Sequence, residues 1–177
     1  MRIKITDKLT GRQMREVKKL YRRAFPKEER KPFALILKLR REGRCEILHF
    51  SLDNEFLGLA ITIRGEGLVL VDYFAVTEER RGQGVGSLMM EEVLERYTGM
   101  GVFLEIECPR GDGGLTDRRL EFYRRAGYRE LSVRVKLFGV DMILLGVRCA
   151  LSFEEYLDFY CKSVWHLAYK HIFNLDG

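Results

Sequence analysis

The sequence is poor in the residues that build metal centres and disulfide frameworks. Four cysteines, Cys45, Cys108, Cys149 and Cys161, are scattered through 177 residues without a Cys-x-x-Cys pair, and three histidines accompany them, His49, His166 and His171. Such spacing excludes the usual zinc ligand patterns and a disulfide-stapled fold, so no metal is expected. His166 and His171 are five apart, which misses the same-face spacing of a helical metal pair. No proline- or serine-rich linker and no low-complexity tract divides the chain. No apolar run approaches membrane-spanning length, and Met1-Arg2-Ile3-Lys4-Ile5-Thr6 alternates charge with apolar residues instead of forming a secretory core. A cytoplasmic protein with reduced thiols and no membrane partner is expected.

What the chain does have is apolar residues and positive charge. A hydrophobic content of 46% over this length suffices for one substantial core. The formal charge of +5 is carried partly by Arg22-Arg23, Arg40-Arg41, Arg118-Arg119 and Arg124-Arg125, pairs that solvated helix faces explain and that a polyanionic ligand would also use. No groove-reading motif or base-stacking signature is present, so nucleic acid is not the expected partner.

The densest local signal is Arg81-Gly82-Gln83-Gly84-Val85-Gly86-Ser87. Before it, Leu68 to Val76 is short, nearly all apolar and rich in β-branched and aromatic residues, as a buried strand is. After it, Ser87 to Tyr97 places Leu, Met, Val and Tyr on one helical stripe. A strand thus passes to a helix through glycine. The first amides of a helix lack internal partners and sit at the positive end of its dipole, which favours an anion. A bland turn before an empty helix start has the same spacing. The dinucleotide fingerprint lacks its last glycine here, and no Gly-Lys-Ser/Thr ending of a triphosphate loop follows.

Arg81-x-x-Gly84-x-Gly86 resembles the Arg/Gln-x-x-Gly-x-Gly/Ala signature of the GCN5-related N-acetyltransferases (GNAT). Tyr73 to Arg80 looks like the strand and acidic turn before that signature. Leu120-Glu121-Phe122-Tyr123-Arg124-Arg125-Ala126-Gly127-Tyr128 resembles the later Phe/Leu-Tyr-x-x-x-Gly-Phe/Tyr element of the same superfamily. The resemblance implies an α/β fold with a central, mainly antiparallel twisted sheet flanked by helices. It implies acetyl-CoA as cosubstrate, its pyrophosphate held by Arg81, Gly82, Gln83, Gly84, Val85, Gly86 and Ser87. Backbone amides of Phe74, Ala75 and Val76 would meet the pantetheine arm and the thioester oxygen. Tyr123 matches a tyrosine that protonates the departing thiolate; a core tyrosine is the alternative reading. Thr116 and Arg119 stand where many members have an Asn and a small residue, which leaves the adenine contacts open.

Transfer from a thioester to an amine also needs a base. Strand alternation over Val102 to Cys108 puts Phe103, Glu105 and Glu107 on one face, so two carboxylates share it. Leu104-Glu105-Ile106 resembles the strand that supplies a glutamate base in members acting on protein N-termini, which favours Glu105 over Glu107. Pairing of both with arginines is the competing reading, and Asp72 is a third candidate.

The remaining elements follow from local rules. Thr10 with Gln13 and Ser152 with Glu155 are capping-box patterns. Asp53-Asn54 joins strands Cys45 to Leu52 and Glu55 to Ile63. A first strand over Arg2 to Thr6, a helix starting at Pro32, a cap at Thr116 or Asp117 for the helix to Ala126, and a final hairpin around Phe138-Gly139 are expected. Apolar recurrence from Phe153 to Ala168 predicts a C-terminal helix through Lys170. The domain reading is a catalytic domain over residues 1–150 with 151–177 as a helical extension packed on it; an acceptor-site wall or a homodimer contact is the alternative reading of that extension. The expected function is acetyl transfer to a primary amine of a small molecule or peptide; a non-catalytic acyl-CoA-binding module is the alternative. Glu28 and Glu29 read first as a solvated turn, with contact to a cationic acceptor as the second reading.

Overall fold

The computed structural model describes residues 3–176. Its strands are β1 (Lys4–Thr6), β2 (Cys45–Leu52), β3 (Glu55–Arg64), β4 (Leu68–Val76), β5 (Gly101–Glu107), β6 (Arg129–Leu137), β7 (Val140–Val147) and β8 (Ile172–Asn174). The helices are α1 (Gly11–Ala24), α2 (Phe33–Arg41), α3 (Val85–Arg96), α4 (Leu115–Arg125) and α5 (Phe153–Ser163). Two compact units result, one running through Thr62 and again over Val71–Arg96, the other comprising Ile63–Leu70 and the chain from Tyr97 onward. Strand order is β1-β2-β3-β4 in the first and β4-β5-β7-β6-β8 in the second, with β4 contributing to both. The sheet is mostly antiparallel; β4 pairs with β5 in parallel over Leu68–Leu70. The expected mixed α/β architecture with its C-terminal helix is therefore present.

Local chemistry sets the boundaries. At α1 the Thr10 hydroxyl accepts from the Gln13 amide at 3.3 Å while the Gln13 carboxamide accepts from the Thr10 amide at 2.9 Å. Ser152 and Glu155 repeat this reciprocal cap at α5. Asp53 and Asn54 both take positive φ, 48° and 65°, which gives the β2–β3 connection the twist a two-residue hairpin requires.

Four expectations are corrected. Arg2, where the first strand was to begin, lies outside the described residues, and β1 starts at Lys4. Pro32 is the N-cap of α2 rather than its first residue. Neither Thr116 nor Asp117 caps α4, whose N-cap is Gly114; the Asp117 carboxylate accepts instead from the Gly111 and Gly113 amides at 3.0 and 2.7 Å, and these bonds hold it below the usual carboxylate range. The C-terminal helix stops at Ser163, not Lys170. The amides of Val164 and Trp165 both turn back to the Tyr160 carbonyl, and Val164 and Ala168 stay buried in a turn and a short 3₁₀ segment. The chain then pairs Ile172–Asn174 with Val135–Leu137, using an open side of β6 that no local pattern announces.

One glycine in β3 matters to the next element. A Cβ on Gly58 would lie 2.3 Å from the Ala75 carbonyl oxygen and 2.7 Å from Met89 Cε. The bare backbone lets β4 and α3 close on β3, while Met89, Met90 and Val93 anchor α3 fully buried. Gly58→Ala is expected to lower the melting temperature by about 2–12 °C, since overpacking costs about 1–3 kcal/mol in a domain of this size. Thermal unfolding followed by circular dichroism checks this.

Candidate active site

In the first unit β4 ends at Val76, and Glu78–Arg80 forms a 3₁₀ turn tied down by an ion pair between Arg80 and Glu55. Arg81 Nε donates to the Val76 carbonyl at 3.4 Å, and Gln83 Nε2 donates to the Glu79 carbonyl at 2.8 Å. Both polar side chains thus brace the loop that leads to α3. Gly82 and Gly84 take φ of +73° and +77°, and a Cβ on either would meet nothing within 4 Å. Positive φ at alternate residues is a backbone pattern that can turn successive amides toward one anion, and the space at both Cβ positions is open. The Gly84 carbonyl accepts from the Ser87 and Leu88 amides at 3.1 and 3.3 Å, so the amides of Val85 and Gly86 precede the first internal bonds of α3. Val85, Gly86 and Ser87 thereby form the first helical turn rather than the end of the loop. This donor set fits a diphosphate.

Phe74 and Val76 are half-buried in β4 and Ala75 is buried. Asp72 on the same strand is committed to Lys31, whose ammonium lies 2.6 Å from Oδ1, and its buried Oδ2 has no partner among the described residues. The α1–α2 connection is fastened here too. The Tyr73 hydroxyl donates to the Glu29 carbonyl at 2.9 Å and accepts from the Lys31 amide at 2.8 Å, while the Tyr21 hydroxyl donates to the Lys31 carbonyl at 2.9 Å. Burial pushes both phenols up. Glu28 and Glu29 stand exposed on this fastened segment.

In the second unit β5 carries Phe103 fully buried and Glu105 and Glu107 half-buried. Glu105 Oε1 accepts from the hydroxyl of Tyr156 at 2.6 Å, and Phe159 meets the Phe103 ring edge-on at 5.0 Å. Helix α5 therefore covers this face of β5 and fixes the orientation of the Glu105 carboxylate. The apolar period of α5 accounts for the Tyr156 ring but not for its hydroxyl, which a buried tyrosine ordinarily pairs. Tyr123 on α4 is 8% exposed, packed against Phe122 and Tyr128, and burial pushes its phenol up to about 12 against the opposing pull of Arg119. It is protonated at neutral pH. Among the described residues no cluster of His, Cys, Asp and Glu is placed to hold a metal ion, and no helix is long and apolar enough to cross a membrane.

The candidate residues thus fall into two groups. Phe74 to Ser87 lie in the first unit, and Glu105, Glu107 and Tyr123 in the second, Glu105 and Glu107 on β5 and Tyr123 on α4.

Comparison with known proteins places these features in context. Residues 44–130 match the family described as Acetyltransferase (GNAT) domain. YjbC of Bacillus subtilis (strain 168), provisionally named an acetyltransferase, is 30% identical over 142 residues, covering 76% of this chain and 71% of the relative. A GNAT-family protein of Bacteroides thetaiotaomicron, also provisionally named an acetyltransferase, superposes with a TM-score of 0.77 at 19% identity over 92% of this chain and 95% of that one. An aminoglycoside 6'-N-acetyltransferase complexed with coenzyme A gives a TM-score of 0.68 at 16% identity over 83% of this chain and 96% of that one. At such identities the two structures speak for the fold.

Proposed function

The chain belongs to the GNAT acetyltransferase family, and from that premise we propose that it transfers the acetyl group of acetyl-CoA to a primary amine of a small molecule or peptide. The observation that carries the reading is the open loop of Gly82 and Gly84 leading into the start of α3. Loop amides and the first amides of α3 hold the diphosphate, with the helix dipole adding to each hydrogen bond. Acetyl-CoA supplies an acetyl group already activated as a thioester. Backbone amides of Phe74, Ala75 and Val76 align the pantetheine arm and donate to the carbonyl oxygen as it gains negative charge. Glu105, held by Tyr156, takes the proton that the amine loses as its nitrogen bonds to the acetyl carbon, with Glu107 as the neighbouring alternative. Tyr123 gives its proton to the thiolate released when the carbon–sulfur bond breaks.

The acceptor is cationic before it reacts, which suits the exposed Glu28 and Glu29. A relative in structure is named for an aminoglycoside, a polycationic amine, and this supports testing such compounds first. Thiol release from acetyl-CoA, measured against simple amines, polyamines, aminoglycosides and peptides, is expected to rise with one acceptor class. Coenzyme binding without amine-dependent release across that panel would make the protein an acyl-CoA-binding module instead.

A further inference from the structure

Helix α1 concentrates the charge of the molecule. Between Gly11 and Ala24 it carries Arg12, Arg15, Lys18, Lys19, Arg22 and Arg23 against one acid, Glu16. Its net of +5 equals that of the whole chain, so every other positive charge is balanced elsewhere. Within the stripe Glu16 offsets only Arg12. It is turned toward His49, with Oε2 3.0 Å from Nε2, and its other oxygen meets Arg12. Arg15, Lys19 and Arg22 are exposed and make no ion pair among the described residues. Arg23 reaches Glu78 only at 3.6 Å in an exposed pair. A shallow depression on this face is walled by Arg15, Lys18, Lys19, Arg22 and Arg23 alone.

We propose that the exposed face of α1 binds the phosphate backbone of nucleic acid without reading base sequence. From Arg12 to Arg23 the cations extend over about 16 Å of helix axis, at steps of about 4.5–6 Å for neighbours on the face. A duplex offers a negative charge every ~1.7 Å of its axis, so such a row finds phosphates in any register. Four of the six are arginines, whose planar fork matches phosphate oxygens. The sequence carries no groove-reading motif, and contact with the phosphate backbone needs none. Two other polyanionic partners fit less well. A protein interface needs an apolar centre, and no large hydrophobic residue of α1 is exposed. An interfacial membrane helix needs a free apolar face, whereas Val17, Leu20 and Tyr21 are spent in the core.

Fluorescence anisotropy with labelled duplexes of about 20 base pairs, in two unrelated sequences, tests this on the full chain between about 50 and 200 mM salt. Equal affinity for both sequences is expected, near 10⁻⁴–10⁻⁶ M at the upper salt, as is ordinary for contact of roughly this kind. The combined variant Arg15→Gln, Lys19→Gln, Arg22→Gln should flatten the dependence of log affinity on log salt by about 2–3, since each lost phosphate contact removes about 0.9. Glutamine keeps helix propensity, and the melting temperature of the variant checks its fold; single replacements, each flattening the slope by about 0.9, serve if the triple variant unfolds. The control Arg118→Gln, Arg124→Gln, Arg125→Gln removes the same charge from α4 and should leave the slope within about 0.5 of the parent. An equal loss in the control, a marked sequence preference, no salt-sensitive binding at the lowest salt, or tighter binding to poly-glutamate or anionic vesicles each overturns the proposal.

Discussion

Replacing Gly84 by aspartate is expected to abolish coenzyme A binding in titration calorimetry. Gly84 has φ of +77°, where a side chain costs about 1–2 kcal/mol, yet a Cβ there touches nothing, so the fold bears little beyond that strain. The larger loss is in the ligand. An aspartate carboxylate would stand where the loop amides hold a diphosphate, exchanging charge-assisted hydrogen bonds worth about 1.5–3 kcal/mol each for repulsion. Gly84→Ala separates the two causes, because it carries the strain without the charge. The alanine variant should bind more weakly than the parent, and the aspartate variant at least about 100-fold more weakly than the alanine one, as loss of one or two such bonds implies. A folded Gly84→Asp protein with parental affinity would remove this loop from the site.

Tyr123→Phe should lower turnover by about 10- to 100-fold or more while leaving coenzyme affinity nearly unchanged, because it deletes a proton donor and little else. The ring keeps its edge-on contacts with Phe122 and Tyr128, at 5.0 and 5.6 Å between centroids, so the packing of α4 should persist. A phenol pushed up to about 12 by burial holds its proton in neutral solution and yields it only to a stronger base, which a departing thiolate stripped of water becomes. Steady-state kinetics with a saturating amine, paired with calorimetry, reads both halves of the expectation. Unchanged turnover would make Tyr123 a packing residue.

The features legible in the sequence are those whose signals are short. The two capping boxes, the Asp53-Asn54 turn and the strand-glycine-helix junction each sit within a dozen residues, and each formed as local rules require. Features that join distant residues were not legible. Nothing around Glu105 reveals that Tyr156, fifty-one positions later, will bond its carboxylate. Nothing beside Gly58 in the chain marks the close approach of Ala75 and Met89. The tail failed in the other direction: its apolar period was real, but the backbone left the helix because β6 offered Ile172–Asn174 a ladder that a helix through Lys170 would forgo.

The last few residues also guard the molecule against itself. Strand β8 meets Val135–Leu137, the Leu175 amide donates to the Arg134 carbonyl at 3.0 Å, and the Asp176 carboxylate accepts from the Arg134 amide at 2.9 Å. A chain cut before Ile172 would bare this row of backbone donors and acceptors as a template for strand addition by a neighbour, so trimming this terminus trades a tidy edge for aggregation.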